Sequence, residues 1–103
     1  MELTKDADRI FCLIYKEYLS RKKSGFSKDF SISFECPEAL HSDFLQEFLS
    51  DDIHSSVREL SRNNMIRLYV DGGFKLSDKG IIYMENRFKN GIKEILEYIS
   101  LIK

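Results

Sequence analysis

The sequence has no tryptophan, little proline and glycine, and no long apolar run. One Pro and five Gly among 103 residues argue against a long disordered linker, which would be rich in such residues. The longest unbroken apolar run covers only residues 10–15, far too short to cross a lipid bilayer. Residues 1–9 are mostly polar and carry acids, which does not fit the pattern of a signal peptide. We therefore expect one folded domain over residues 1–103, located in the cytoplasm and without membrane contact.

Cysteines and catalytic signatures are also scarce. Cys12 and Cys36 are too few for a disulfide framework, and both are expected to be reduced thiols in a cytoplasmic protein. The spacing of Cys36, His41 and His54 matches no zinc pattern, and a fourth ligand is missing nearby. The chain contains no glycine-rich phosphate loop and no nucleophile elbow. The sequence therefore predicts no metal, no cofactor, no catalytic residue and no enzymatic activity.

What the chain does contain is clear hydrophobic periodicity. Apolar residues are 43% and charged residues 32% of the sequence, an ordinary globular balance, and eight Phe and five Tyr supply bulky core material. Spacings of three and four predict helices, and alternation predicts strands. The fold class is α+β, mostly α, with a small antiparallel sheet and C-terminal helices. The predicted elements are a helix at about 4–24, a strand at 30–34, helices at about 37–49 and at 50–64, a hairpin at 66–76, and helices at 78–90 and 92–102.

Local signals mark the ends of these elements. The helix at 37–49 has two possible starts, since Pro37 suits a first helical turn and Ser42 is a competing N-cap. Asn64 is expected to adopt a left-handed conformation where the chain turns sharply out of the helix at 50–64. Asp71 precedes two glycines in a tight-turn signal. Asn90 and Gly91 predict a break between the last two helices.

Residues 53–80 resemble the central unit of winged helix-turn-helix proteins. Many members of that family read L-x-x-L-x-x-x-G-L-I and then L-T-x-K-G across this unit. The residues that fall on the first pattern are Val57, Leu60, Asn64, Met65 and Ile66. The residues that fall on the second pattern are Leu76, Ser77, Lys79 and Gly80. The chain is thus similar to small bacterial or phage winged-helix proteins, many of them of unassigned role, and the resemblance implies a recognition helix at 50–64 and a wing at 66–76.

The resemblance also implies a function, which is sequence-specific binding of double-stranded DNA in transcriptional control. In this family the outer face of the recognition helix enters the major groove, where Arg reads guanine and Ser contacts phosphate or base. The expected DNA-binding residues are His54, Ser55, Ser56, Arg58 and Arg62 on the helix and Arg67 and Lys75 on the wing. Asp51 and Asp52 depart from the family, whose first recognition turn is usually rich in Ser and Thr.

The charge distribution leaves a second interpretation open. The net charge is −1, and residues 29–52 hold seven acids and no Lys or Arg. Residues 53–80 are mildly basic. A protein–protein interaction module that keeps the fold without binding DNA is therefore the alternative. A DNA-binding domain must gather its cations on one surface, and these cations are Arg58, Arg62, Arg67, Lys75 and those of residues 21–23. For residues 21–23 themselves, a solvated helix end is the simpler interpretation.

Apolar surface on the first and last helices also indicates association. Six consecutive apolar residues, at 10–15, cannot all face one small core. We therefore expect a homodimer, with intramolecular packing of the two helices as the alternative. The expected interface residues are Phe11, Tyr15, Ile92, Ile95 and Ile99.

Overall fold

The computed structural model describes residues 1–101 and shows a mostly helical α+β chain with a small antiparallel sheet, as the sequence predicts. The elements in chain order are α1 (Lys5–Lys23), α2 (Lys28–Ile32), β1 (Ser33–Phe34), α3 (Pro37–Asp43), α4 (Ser50–Arg62), β2 (Ile66–Leu68), β3 (Phe74–Leu76), α5 (Asp78–Arg87) and α6 (Ile92–Leu101). No helix among these is long and apolar enough to cross a membrane.

The three strands form one antiparallel sheet in the order β1-β3-β2. Within the hairpin, Ile66 lies opposite Leu76 and Arg67 lies opposite Lys75. Because facing residues of paired strands point to the same side of a sheet, Ile66 and Leu76 share the buried face and Arg67 and Lys75 share the polar face. Phe34 of β1 lies opposite Phe74, and their rings stack with centroids 5.2 Å apart.

The core is built around α1, which packs against both α4 and α6. Ile10, Phe11 and Ile14 are fully buried, so consecutive residues of α1 face different neighbours within one core. Phe11, Tyr15 and Ile95 are at most 2% exposed in the single chain. The prediction that these three side chains form a dimer interface is therefore wrong, because their own chain already covers them.

The strand predicted at 30–34 is wrong over most of its length. The hydroxyl of Ser27 accepts a hydrogen bond from the backbone N–H of Phe30, which caps the short helix α2. Only Ser33 and Phe34 pair with β3. The alternation of Phe30 with Ser31 is also reversed, since Ser31 is fully buried and Phe30 is half-exposed.

The helix predicted at 37–49 is too long. Pro37 occupies the first turn of α3, so the start at Pro37 is confirmed and the start at Ser42 is wrong. The helix ends at Asp43, and residues 44–49 form an irregular connection to α4. The side-chain amide of Gln46 donates to the carbonyl oxygens of Ser42 and Asp43, at 3.2 and 3.1 Å. The Gln46 amide thus pairs two carbonyl oxygens that backbone N–H groups would pair if the helix continued.

The turn after α4 confirms the left-handed residue predicted at Asn64. The helix ends at Arg62, two residues before the predicted limit, and Asn64 has φ +62°. Its backbone N–H donates to the carbonyl of Ser61, and its own carbonyl accepts from the hydroxyl of Ser77. The sharp turn therefore connects α4 to β2 and touches the start of α5.

We expect Asn64→Gly to be neutral or mildly stabilising, because glycine adopts positive φ without steric cost. Asn64→Val should lower the free energy of unfolding by about 1–2 kcal/mol, because a β-branched residue is strained at positive φ. Urea unfolding followed by circular dichroism measures both changes. A valine variant as stable as the wild type would show that the left-handed turn is not required.

The last two helices are separated at the predicted break. The helix α5 ends at Arg87, three residues before the predicted limit, and Gly91 has φ +72° just before α6. The second helix was expected to reach residue 102, which lies outside the described residues. Ile92 and Ile99, the other two expected interface residues, are partly buried on α6, and Ile99 packs against the core.

A cluster of hydrogen-bonded polar side chains links α5 and α6 to α1. The guanidinium of Arg87 donates to both carboxylate oxygens of Asp8, and the hydroxyl of Tyr98 donates to Asp8 Oδ2 at 2.9 Å. Burial alone would raise the pKa of Asp8, but the hydrogen bonds from Arg87 and Tyr98 outweigh it and hold the pKa below its ordinary value. The guanidinium carbon of Arg87 also lies 4.6 Å from the centre of the Tyr98 ring.

Candidate nucleic-acid interface

The exposed face of α4 is the surface with the most distinctive chemistry. Ile53, Val57 and Leu60 are at most 1% exposed and hold the helix against the core. Positions three and four apart share a helix face, so the opposite side presents one row of residues. The members of this row, all exposed, are Asp51, Ser55, Arg58 and Arg62. The predicted exposure of these four residues is confirmed.

The two arginines of this row have no ionic partner. Neither Arg58 nor Arg62 forms a salt bridge with any residue of 1–101. Like charges four residues apart destabilise an isolated helix by about 0.2–0.5 kcal/mol. The stability of the fold therefore gains nothing from this pair, and ten N–H donors (five on each guanidinium) stay available to an outside acceptor.

The carboxylate of Glu59, on the same helix, is hydrogen-bonded to Thr4. Glu59 lies next to Arg58 in the sequence, but its two oxygens accept from the backbone N–H and the hydroxyl of Thr4, each at 2.7 Å. Thr4 is the N-cap residue of α1, yet its side chain makes no capping bond and its hydroxyl donates to Glu59 of α4 instead. Fifty-five positions separate the two residues, so no local signal in the sequence reveals this contact.

The hairpin places two more cations on the polar face of the sheet. Arg67 is exposed and makes no salt bridge within the described residues, whereas the ammonium of Lys75 lies 3.1 Å from a carboxylate oxygen of Asp29. The hairpin predicted at 66–76 is present, but its strands are short and its turn begins after Leu68. Asp71 accepts the N–H of Gly73 at 2.9 Å and fixes this turn, which leaves Val70 fully exposed at the tip.

Two of the expected contact residues are not available on this surface. Ser56 is only 3% exposed, so its assignment to the outer face is wrong, because it lies one residue (about 100° of rotation) from that face. The ring Nε2 of His54 lies 2.7 Å from Glu38 Oε1 and ties α4 to α3. The hydrogen bond with His54, followed by a backbone hydrogen bond, lowers the pKa of Glu38 to about 2.

The cations of residues 21–23 do not join the α4 surface. The guanidinium of Arg21 donates to the carbonyl of Ser33 in β1 at 2.7 Å and lies 4.4 Å from the centre of the Phe34 ring. The interpretation of Arg21 as part of a solvated helix end is therefore wrong. The strand β1 is the edge of the sheet opposite β2, the strand that follows α4. Arg21 therefore adds nothing to the basic surface, which is formed by the α4 row and the hairpin within the part of the chain that the structure describes.

Acidic side chains lie close to this basic surface. Asp51 and Asp52 occupy the first turn of α4, where they complement the positive end of the helix dipole. Asp51 is exposed, and so are Glu35 and Asp43 on the segment before α4. Any polyanion that approaches the N-terminal end of α4 therefore meets repulsion, whereas the C-terminal half carries Arg58 and Arg62 and a single acid, Glu59, whose carboxylate is hydrogen-bonded to Thr4.

Neither a metal site nor a relative identifies this surface. Residues 1–101 bring no three potential metal ligands together. Both cysteines are free, and burial raises the pKa of the Cys12 thiol to about 12. No protein-family model, curated protein or solved structure matches the chain. The geometry of α4 and the hairpin is therefore the main indication of function.

Proposed function

We propose that the chain is a winged-helix domain that binds double-stranded DNA through α4 and acts in transcriptional control. The order α4, β2, β3, α5 supports this proposal, because the resemblance of residues 53–80 implies a recognition helix followed by a wing and a further helix. In this proposal the wing is the β2–β3 hairpin, whose strand β3 pairs antiparallel with both β1 and β2. In this assignment α3 and α4 are the helix-turn-helix pair, and residues 44–49 are their turn.

The observation that carries the proposal is the unpaired arginine row. Arg58 and Arg62 are separated by four residues, about 6 Å along the helix axis. Successive base pairs are spaced about 3.4 Å apart, so both side chains reach base edges of one groove segment. Arginine binds guanine O6 and N7 with two hydrogen bonds, the commonest base-specific contact in protein–DNA complexes. Ser55 on the same face supplies a hydroxyl for a phosphate or a base.

The hairpin supplies contacts that position the domain without reading sequence. Arg67 is exposed and unpaired within the described residues, so it is the stronger phosphate ligand of the two hairpin cations. Lys75 must first leave Asp29, an exposed pairing of the kind that contributes little stability. The proposed interface therefore combines base contacts from α4 with backbone contacts from the hairpin.

The proposal includes a homodimer, for which α6 offers the free apolar surface. Leu96 and Leu101 are 47% and 84% exposed on this helix. Leu96 also lines a shallow groove of about 260 Å³ with Leu13 and Ile99. A two-fold contact through α6 would cover these leucines and place two copies of α4 on one duplex.

The decisive experiment starts from a pool of randomised DNA duplexes selected on the wild-type protein. On the selected duplex, Arg58→Ala and Arg62→Ala should each weaken binding by about 1–3 kcal/mol and relax the preference at one or two positions. Fluorescence anisotropy at several salt concentrations measures this change. Lys89→Ala removes an exposed cation from the turn after α5 and should leave the affinity unchanged.

The protein-interaction module is the second candidate, and the exposed acids before and within α4 favour it. Asp51 would repel DNA phosphates at α4, and the exposed acids Glu35 and Asp43 suit a basic protein partner. Asp52→Ser removes one of the charges nearest α4 and should strengthen non-specific DNA binding if the domain binds DNA at all. No detectable affinity at low salt, for the wild type and Asp52→Ser alike, would favour the interaction module.

A further inference from the structure

Asp51 is the acidic member of the exposed row on α4. It stands at the N-terminal end of the face that also carries Ser55, Arg58 and Arg62. An acid on a surface that binds DNA is unfavourable unless its carboxylate accepts a hydrogen bond, because the phosphates repel it. The place of Asp51 beside two unpaired arginines therefore raises the question of which donor its carboxylate meets.

The chain itself does not neutralise this carboxylate. Asp51 forms no salt bridge with any residue of 1–101. The basic residue one turn along α4 is His54, and its ring Nε2 lies 2.7 Å from Glu38 Oε1 instead. Asp51 does complement the helix dipole, but Asp52 in the same turn has that role as well. The Asp51 carboxylate is therefore open to a donor from outside the chain.

The proposed docking of α4 places Asp51 at the edges of the bases, and the inference drawn from it rests on that proposed function. In helix-turn-helix proteins the N-terminal residues of the recognition helix contact base edges in the major groove. Asp51 lies in the first turn of α4, seven residues before Arg58. This separation is about 10 Å along the helix axis, or about three base pairs of DNA. Asp51 therefore faces a base pair about three steps from the one that Arg58 reads, on the side away from Arg62.

The hydrogen-bonding groups of the bases decide where a carboxylate is tolerated in the major groove. Guanine presents the acceptors N7 and O6, thymine presents the acceptor O4, and adenine presents the donor N6 beside the acceptor N7. Cytosine presents the donor N4 without an acceptor of its own. An ionised aspartate only accepts hydrogen bonds, so cytosine pairs with it and the acceptors of the other three bases repel it.

We propose that Asp51 is a specificity-determining residue that selects cytosine, whose N4 amino group donates a hydrogen bond to the Asp51 carboxylate. Arg58 and Arg62 supply affinity and read guanine, whereas Asp51 discriminates mainly by repelling DNA that lacks the cytosine. The recognised sequence therefore carries a cytosine about three base pairs from the guanine of Arg58. The acidic first turn of α4 lowers affinity for DNA in general and raises the preference for this sequence.

Asp51→Asn tests this inference, because asparagine has the same shape without the charge and its amide binds adenine N6 and N7 with two hydrogen bonds. Random duplex pools are selected separately on the wild type and on the variant. The two consensus sequences should agree at the guanines and differ at the Asp51 position, with adenine in place of cytosine. Fluorescence anisotropy on two duplexes that differ only at this base pair should show a roughly tenfold preference for cytosine in the wild type and for adenine in Asp51→Asn.

Asp52→Asn is the matched control. Asp52 lies in the same helical turn, but it points about 100° away from Asp51 and is only partly exposed. Each variant loses one negative charge near the start of α4, so both should bind random DNA more tightly than the wild type does. Only Asp51→Asn should change the preferred base. Circular dichroism verifies folding, which Asp51→Asn should retain because Asp51 is exposed.

Two results would overturn this inference alone. One is a wild-type consensus without cytosine at the Asp51 position, and the other is an Asp51→Asn variant that binds every duplex more tightly with the same base preference. In both cases Arg58→Ala would still relax the consensus, and the proposed DNA binding would stand. A wild type that selects no consensus, or one that Arg58→Ala and Arg62→Ala leave unchanged, would overturn the proposed function and this inference together.

Discussion

Replacing Ile95 by glutamate is expected to unfold the domain. Ile95 is fully buried on α6, where it packs in the same core as the residues of α1. Loss of a buried isoleucine side chain costs about 2–5 kcal/mol, and an unpaired buried carboxylate adds a further penalty. Small domains have only about 5–15 kcal/mol of stability, so this variant should lack a cooperative unfolding transition. Thermal and urea unfolding followed by circular dichroism measures the effect.

Leu96→Glu is the matched control for this change, and it also tests association. Leu96 is the next residue on α6 but is 47% exposed, so glutamate there stays in water and the domain should keep its full helical content. If the wild type is a dimer through α6, sedimentation should show folded monomers for Leu96→Glu. A wild type that sediments as a monomer at high concentration would remove the dimer proposal. A folded Ile95→Glu variant would contradict the assignment of Ile95 to the core.

Gly80→Ala is expected to be strongly destabilising, although helix propensity alone predicts the opposite. Gly80 lies in the first turn of α5, where alanine would normally stabilise a helix by about 1 kcal/mol. A Cβ atom at Gly80 would overlap the carbonyl oxygen of Met65 and lie 3.0 Å from its carbonyl carbon. The same oxygen accepts the N–H of Ser77 at 3.1 Å, so it cannot easily move away. We expect a loss of about 3 kcal/mol, at the upper end for overpacking.

Gly91→Ala provides the comparison for Gly80→Ala. Gly91 has φ +72° and no atom within 4 Å of an added Cβ, so its substitution carries only backbone strain of about 1 kcal/mol. Urea unfolding should therefore rank Gly80→Ala as clearly less stable than Gly91→Ala. The reverse order would mean that α5 and the turn before β2 separate without cost. The result bears on the motif itself, because Gly80 ends the Leu76–Gly80 segment that resembles winged-helix proteins.

The sequence predicted the elements whose signals are local and consistent. The row Ile53, Val57 and Leu60 defines the buried face of α4, and the glycines at 72 and 73 define the hairpin turn. The exposed positions of Arg58 and Arg62 follow from the same helical spacing. These predictions succeeded because periodicity and turn chemistry pointed to the same structure.

Other features failed because two local signals competed or because the partner is distant in the sequence. Phe30, Ile32 and Phe34 alternate as a strand would, but the cap at Ser27 places the first two in a helix. Ser56 was assigned to the outer face, but it lies on the buried side of α4, three residues after Ile53 and four residues before Leu60.

Long-range pairs such as Lys75 with Asp29, 46 positions apart, and Thr4 with Glu59, 55 positions apart, are set by tertiary packing. Periodicity carries no information about them. They nevertheless decide which charges of the candidate interface are free.

The cluster of Asp8, Arg87 and Tyr98 has a consequence for biosynthesis. Asp8 leaves the ribosome before its partners, which follow 79 and 90 residues later. Until α6 has emerged, α1 lacks one of the helices that cover it, and the nascent chain exposes apolar side chains such as Ile10 and Phe11. We therefore expect the core around α1 to be completed only after α6 has been translated, and the exposed apolar surface to favour aggregation in that interval.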